Sequence, residues 1–164
     1  MLDDSSAYIR SEVLAVTDST RGKIQTLLDS GVCLPDRPRD GTQLRWSASE
    51  IALASIALKL SRLGLLLTAI RPAIDAARAE LQAGPLAVLM VEFDNAGRFK
   101  AATRLDSVVP LGGLAAPSEV PAGAGFRLLI DIAAEVRTID AKLQAHRADH
   151  GAARRGPRAC RKSA

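Results

Sequence analysis

The chain has 164 residues, enough for one ordinary domain or for a compact domain with an oligomerisation module. Hydrophobic residues make up 48% but aromatics only 3%, so a core must be assembled from Leu, Ile, Val and Ala, which favours helices; no apolar run reaches the roughly 18–20 residues of a membrane span. The net charge of +4 is carried by the tail at 151–164, where Arg154, Arg155, Arg158, Arg161 and Lys162 stand without an acid, while residues 1–84 balance to neutrality.

In chain order, residues 8–31 predict two short helices around a tight polar turn. Ser11 is the expected N-cap of the first, with Val13, Leu14 and Val16 as its apolar stripe. Asp18-Ser19-Thr20 supplies the turn, and Ser19 or Thr20 the second cap. The second helix sets Ile24, Leu27 and Leu28 on one face, leaving Arg21, Lys23, Gln25 and Thr26 outside the buried stripe, and Gly31 stops it. Two such helices make a helix-turn-helix. Arg21 and Gln25 are the side chains suited to reading base edges, guanine and adenine respectively.

Residues 32–46 contain Pro35, Pro38 and the hairpin signal Asp40-Gly41. Short strands around Cys33-Leu34 and from Gln43 to Trp46 would form a basic wing carrying Arg37, Arg39 and Arg45 together with Thr42, anchored by the Trp46 ring. Ser47 then caps a helix, with Glu50 three residues on to complete a capping box. That helix runs through Ile51, Ala54, Ile56 and Leu60 to Leu63, where Gly64 stops it. The next spans about Thr68 to Gln82 on a stripe of Ile70, Ile74, Ala77 and Leu81, with Pro72 tolerated near its start.

Over Tyr8 to about Glu80 this order resembles regulators of the MerR family. The matching text is Arg45-Trp46-Ser47-x-x-Glu50-Ile51, similar to that family's wing-to-helix junction, and then Leu60-x-x-Leu63-Gly64-x-x-Leu67-x-x-Ile70-Arg71, similar to its following helical pair. The resemblance implies that Thr20 to Ser30 is a recognition helix for the major groove and Pro38 to Arg45 a wing on the flanking backbone. It departs where the family has an Arg and an aromatic pair and this chain has Gln25-Thr26-Leu27.

Beyond Gly84-Pro85, Leu86 to Phe93 and Arg98 to Leu105 read as a hairpin around Asp94-Asn95-Ala96-Gly97. Residues 107–125, rich in proline and glycine, read as an irregular connector. From Phe126 to about Ala148 a last helix is expected, on which Leu129, Ile132, Val136, Ile139 and Leu143 alternate at spacings of 3 and 4. That alternation is the pattern of a coiled-coil dimer seam, with packing on the 86–105 hairpin as the alternative. MerR-type proteins dimerise through a C-terminal helix, which the resemblance adds to the first of these.

No nucleophile–base set, phosphate-cradling glycine loop or metal motif is present, so neither an enzyme nor a cofactor is expected. Cys33 and Cys160 are too isolated for a disulfide framework or zinc, and His146 with His150 lacks a third ligand. The acidic start Met1-Leu2-Asp3-Asp4 is the reverse of a signal peptide, which points to the cytoplasm, where the expected DNA binding would associate the chain with the bacterial nucleoid.

The fold expected is therefore mainly α with small β hairpins: a MerR-like winged helix-turn-helix at 1–84, a hairpin plus C-terminal helix at 85–150 for oligomerisation or sensing, and a basic tail at 151–164. The function expected is a homodimeric, sequence-specific regulator of transcription that binds double-stranded DNA. Two alternatives use the same fold: an accessory protein of a mobile element, of excisionase or packaging type, and a protein-interaction adaptor.

Overall fold

A computed structural model describes residues 8–36, 43–83, 88–105 and 125–154. Helix α1 (Arg10–Thr17) starts one residue before the expected cap Ser11, because Ile9 holds the extended N-cap position and the Glu12 carboxylate accepts from its N–H at 2.9 Å. A carboxylate reaching back in this way satisfies one of the helix's orphan donors. Asp18, in the left-handed region at φ 48°, ends α1, and Thr20 caps α2 (Arg21–Asp29) by accepting from the Lys23 N–H. Ile24 and Leu27 are the buried residues of α2, and Gly31 at φ +69° turns the chain away from it.

Where a wing was expected, the described residues show two isolated backbone bridges and no strand pair. Cys33 and Leu34 form no strand. Instead Asp36 and Arg45 exchange backbone hydrogen bonds at 2.8 and 2.9 Å, while Tyr8 and Trp46 do the same at 2.9 and 3.0 Å. Trp46 is fully buried, as an anchor should be. Arg37, Arg39 and Thr42, with the Asp40-Gly41 turn, lie outside the described residues.

Helix α3 (Ala48–Arg62) is the axis of the molecule. Ser47 caps it by accepting from the Glu50 N–H at 3.1 Å, but the Glu50 side chain does not complete the box. It accepts instead from the Leu34 N–H at 2.6 Å and from Arg78 at 3.1 Å. Every residue from Glu50 to Leu58 is buried, so α3 has no solvent face over that stretch. A helix apolar all round is explained only by neighbours on all sides. Those neighbours are α1, α2, α4 (Leu67–Ala83) and the C-terminal helix. α4 presents Ala69, Ile70, Ala73, Ile74 and Ala77 to the core.

The hairpin forms as expected, from β1 (Val88–Phe93) and β2 (Phe99–Leu105). Asp94 organises its turn: Oδ1 accepts from the Ala96 and Arg98 N–H groups at 2.9 and 2.8 Å, and Gly97 supplies the positive φ of +72°. A residue with a Cβ would hold that conformation only at a cost.

The stretch after the connector departs from expectation. Phe126 to Asp131 is not helical but a third strand, β3, antiparallel to β1, giving a sheet of order β2-β1-β3. Phe126 stacks on Phe93 with ring centroids 5.0 Å apart, and Ile130 reaches the core. The helix, α5 (Ile132–Arg154), follows without an intervening residue, its first turn capped by Asp131 Oδ1, which accepts from the Ala134 N–H at 2.7 Å.

This corrects the expected dimer seam. Leu129 belongs to a strand, while Ile132, Val136, Ile139 and Leu143 are at most 1% exposed within the single chain. Helix α5 packs them on α3, α1 and β1. The 3-4 spacing was real; its partner is the molecule's own core. One hydrophobic cluster runs from Tyr8 to Leu143, through both the 1–84 and the 85–150 stretches.

Candidate nucleic-acid interface

With Ile24 and Leu27 buried, the outer face of α2 presents Arg21, Lys23, Gln25 and Thr26, all exposed. Thr20 serves as its cap, accepting from the Lys23 N–H at 3.4 Å. Thr26 Oγ1 donates to the Gly22 carbonyl at 3.0 Å, a back-bond along the helix that leaves its methyl to project. Gln25 is engaged on both sides: its amide oxygen accepts from Arg10 at 3.3 Å, and its amide nitrogen donates to Asp29 at 2.8 Å. Arg21, Lys23, Arg45 and Arg62 make no ion pair with a described residue.

The outer face of α2 lies between two shallow hollows. On one side Lys23 and Thr26 meet Ser61, Arg62 and Leu67 at the corner between α3 and α4. On the other, Gln25 and Asp29 meet Arg10 and Leu44, the residue next to Arg45. The structure thus groups Lys23 and Thr26 with Arg62, and Gln25 with Arg10, Pro35 and Leu44. Arg10 and Arg62 were passed over by sequence reasoning. Arg62 is basic in the last turn of α3, where a cation is ordinarily explained by the helix dipole. Nothing local to Arg10 marks it; only the packing of α1 beside α2 brings it to Gln25.

Behind this surface a buried polar linkage fixes the chain that leaves α2. Arg78 of α4 donates to the Val32 carbonyl at 2.8 Å and to Glu50 at 3.1 Å, and Glu50 in turn holds the Leu34 N–H. Burial alone would lower the Arg78 pKa, but the Glu50 and Asp75 carboxylates more than offset this and raise it, so the guanidinium stays charged. The Cys33 thiol beside them is pushed up to about 12, by burial first and by the Glu50 charge second, against the opposing effect of Arg78. At neutral pH it is an inert thiol.

Helix α5 braces α1 from behind. Lys142 Nζ donates to the Val16 carbonyl at 3.1 Å and lies 3.5 Å from Asp18, at the C-terminal end of α1. At the other end Arg147 pairs with Glu12 at 3.1 Å and lies over the Tyr8 ring, 4.2 Å from its centroid. Burial would raise the Glu12 pKa, but the Ile9 N–H, Arg147 and His146 prevail and hold the carboxyl below its ordinary value of 4.5.

Among the described residues there is no group of three metal-ligating side chains, and no helix is long and apolar enough to cross a membrane. No protein-family model matches the chain, and no curated protein is similar to it.

Proposed function

We propose that the chain regulates transcription by binding double-stranded DNA through a winged helix-turn-helix of the MerR type. The observation that carries this reading is α2: a helix locked onto α3 by Ile24 and Leu27, whose outer face offers Arg21, Lys23, Gln25 and Thr26 to solvent between Arg10 and Arg62. A helix with its side chains is about 10–12 Å across, the width of the major groove. Arg21 can pair with guanine, and Gln25 with the N6 and N7 edge of adenine, which would take over the positions Asp29 and Arg10 fill in the free protein. Lys23 and Arg62 flank these as phosphate ligands. Arg45, with Arg37, Arg39 and Thr42 of the wing, would follow the neighbouring backbone.

The test is fluorescence anisotropy on a short mixed-sequence duplex across a salt series. Counterion release makes the logarithm of affinity fall linearly with the logarithm of salt, at close to one unit of slope per phosphate contact. Lys23→Ala combined with Arg62→Ala is expected to flatten that slope by roughly two, while Arg137→Ala, on the exposed side of α5, leaves it alone. Salt-independent binding, or a double variant equal to the wild type, rejects the interface. No binding to any duplex would favour the adaptor reading on the same fold.

A further inference from the structure

The DNA reading uses α1, α2 and their flanks and leaves the β-sheet without a role. β3 lies at the sheet's edge: it pairs with β1 on one side, and among the described residues no strand pairs with the other. An open edge is a row of unmatched backbone donors and acceptors, and proteins ordinarily blunt it with charge, proline or a covering element. Here the edge carries Phe126 at 41% and Leu129 at 47% exposure, two of the exposed large apolar side chains among the described residues.

We propose that β3 pairs antiparallel with β3 of a second copy of this chain, in the register that sets Leu129 opposite Leu129 and Arg127 opposite Asp131. The alternation of the strand selects that register. Arg127, Leu129 and Asp131 share the outer face, while Leu128 and Ile130 turn inward. Directly opposed residues in an antiparallel pair lie on the same face, so a two-fold pairing that keeps outer face with outer face must be centred on a residue. Centring on Leu128 sets Arg127 against Leu129, and centring on Ile130 sets Leu129 against Asp131. Only centring on Leu129 gives an apolar pair in the middle with an Arg–Asp pair on each side. Opposite charges and apolar pairs at such directly facing positions are the stabilising cross-strand combinations.

The two charged residues are free to do this. Asp131 spends Oδ1 on the α5 cap, which leaves Oδ2. Arg127 already lies on the outer face, held toward Glu92 at 2.8 Å through Nε, with its terminal nitrogens available. Among its described residues α5 exposes no large apolar side chain that would compete as a seam. The pairing therefore replaces the helical dimer expected from sequence with a sheet continuous across a two-fold axis. A short strand edge is a small interface, so association is expected in the weak, concentration-dependent range.

The test reads assembly without DNA, so its outcome is separate from that of the DNA-binding reading. Sedimentation of the full chain from about 1 to about 200 µM is expected to show a monomer–dimer equilibrium. Leu129→Glu, which sets a carboxylate against its own image, is expected to weaken the dimer more than tenfold, with circular dichroism and the melt confirming that the monomer is folded. Disulfide trapping gives an independent readout in a Cys160→Ser background, since the buried Cys33 thiol does not react. Leu129→Cys places two thiols on directly opposed residues, about 4.5–5.5 Å apart at Cα and within disulfide reach. Arg127→Cys places them four positions apart along the strands, about 13 Å, and is expected not to cross-link with itself. A wild type monomeric at the highest concentration, a dimer indifferent to Leu129→Glu, or cross-linking through Arg127→Cys rather than Leu129→Cys each overturns the proposal.

Discussion

Glu50 and Arg78 show how much one buried pair can organise. Their side chains are 10% and 15% exposed, yet between them they bind the Leu34 N–H, the Val32 carbonyl and each other. Those backbone groups belong to the segment that leaves α2, so the pair fixes the path of the chain as it leaves that helix. Breaking such a pair from one side strands a charge in a poorly solvated site, a loss of about 3–5 kcal/mol. Arg78→Leu is therefore expected to lower unfolding free energy in urea by that order. Adding Glu50→Leu should recover part of it, since replacing both partners by apolar groups removes the stranded charge. If Arg78→Leu costs less than about 1 kcal/mol, the linkage is not what fixes the segment. Sequence reasoning placed Glu50 in a capping box because Ser47 stands three residues before it. The cap by Ser47 is there, but nothing in the local spacing could disclose that a residue 28 positions on claims the carboxylate.

Elements were legible where one face meets water and the other the core, and less so elsewhere. α2, the end of α3, and the β1–β2 turn each carry their stop or turn residue in the sequence, and each forms where that residue puts it. β3 was misread because Leu129 and Ile132 extend the helical spacing of α5 backwards by one turn, whereas the strand assignment depends on a distant partner, β1. Non-local pairing leaves little local trace. The contact between α1 and α5 is likewise non-local, and its pH dependence can be worked out from Glu12. Its carboxyl titrates below 4.5 in the folded protein, so the folded state holds fewer protons there than the unfolded chain. The stabilisation is fully present above the ordinary value and is lost as pH falls through the folded one. The melting temperature is expected to drop on acidification from about pH 5 to pH 3, and Glu12→Gln should show a smaller drop from a lower starting point, by about 1 kcal/mol at neutral pH. An identical acid profile in the variant would show that α5 does not depend on this pair.

For the whole molecule, the single core decides what can be separated. Ile132, Val136, Ile139 and Leu143 are buried from α5 into the same cluster that holds Val13, Trp46 and Ile51. Each fully buried aliphatic side chain contributes about 1.5–3 kcal/mol, so the four together are worth as much as the roughly 5–15 kcal/mol that keep a typical domain folded. The full chain is expected to melt in one transition, and a fragment ending after α4 to lose cooperative unfolding. A fragment with a sharp melt near that of the full chain would restore two independent units. Of the candidate site, the face of α2 could be read from the spacing of Ile24, Leu27 and Leu28, but Arg10 and Arg62 arrive through tertiary packing, which no spacing encodes. One junction described above has a mechanical meaning. Asp131 ends β3 and Ile132 begins α5 with nothing between them, and the 23 residues of α5 run for about 34 Å while gripping both ends of α1. A strand welded to a rod cannot shift alone. The edge strand and the helix that carries Arg10 are thus joined through one continuous rod of backbone, from Asp131 to the Arg147–Glu12 pair.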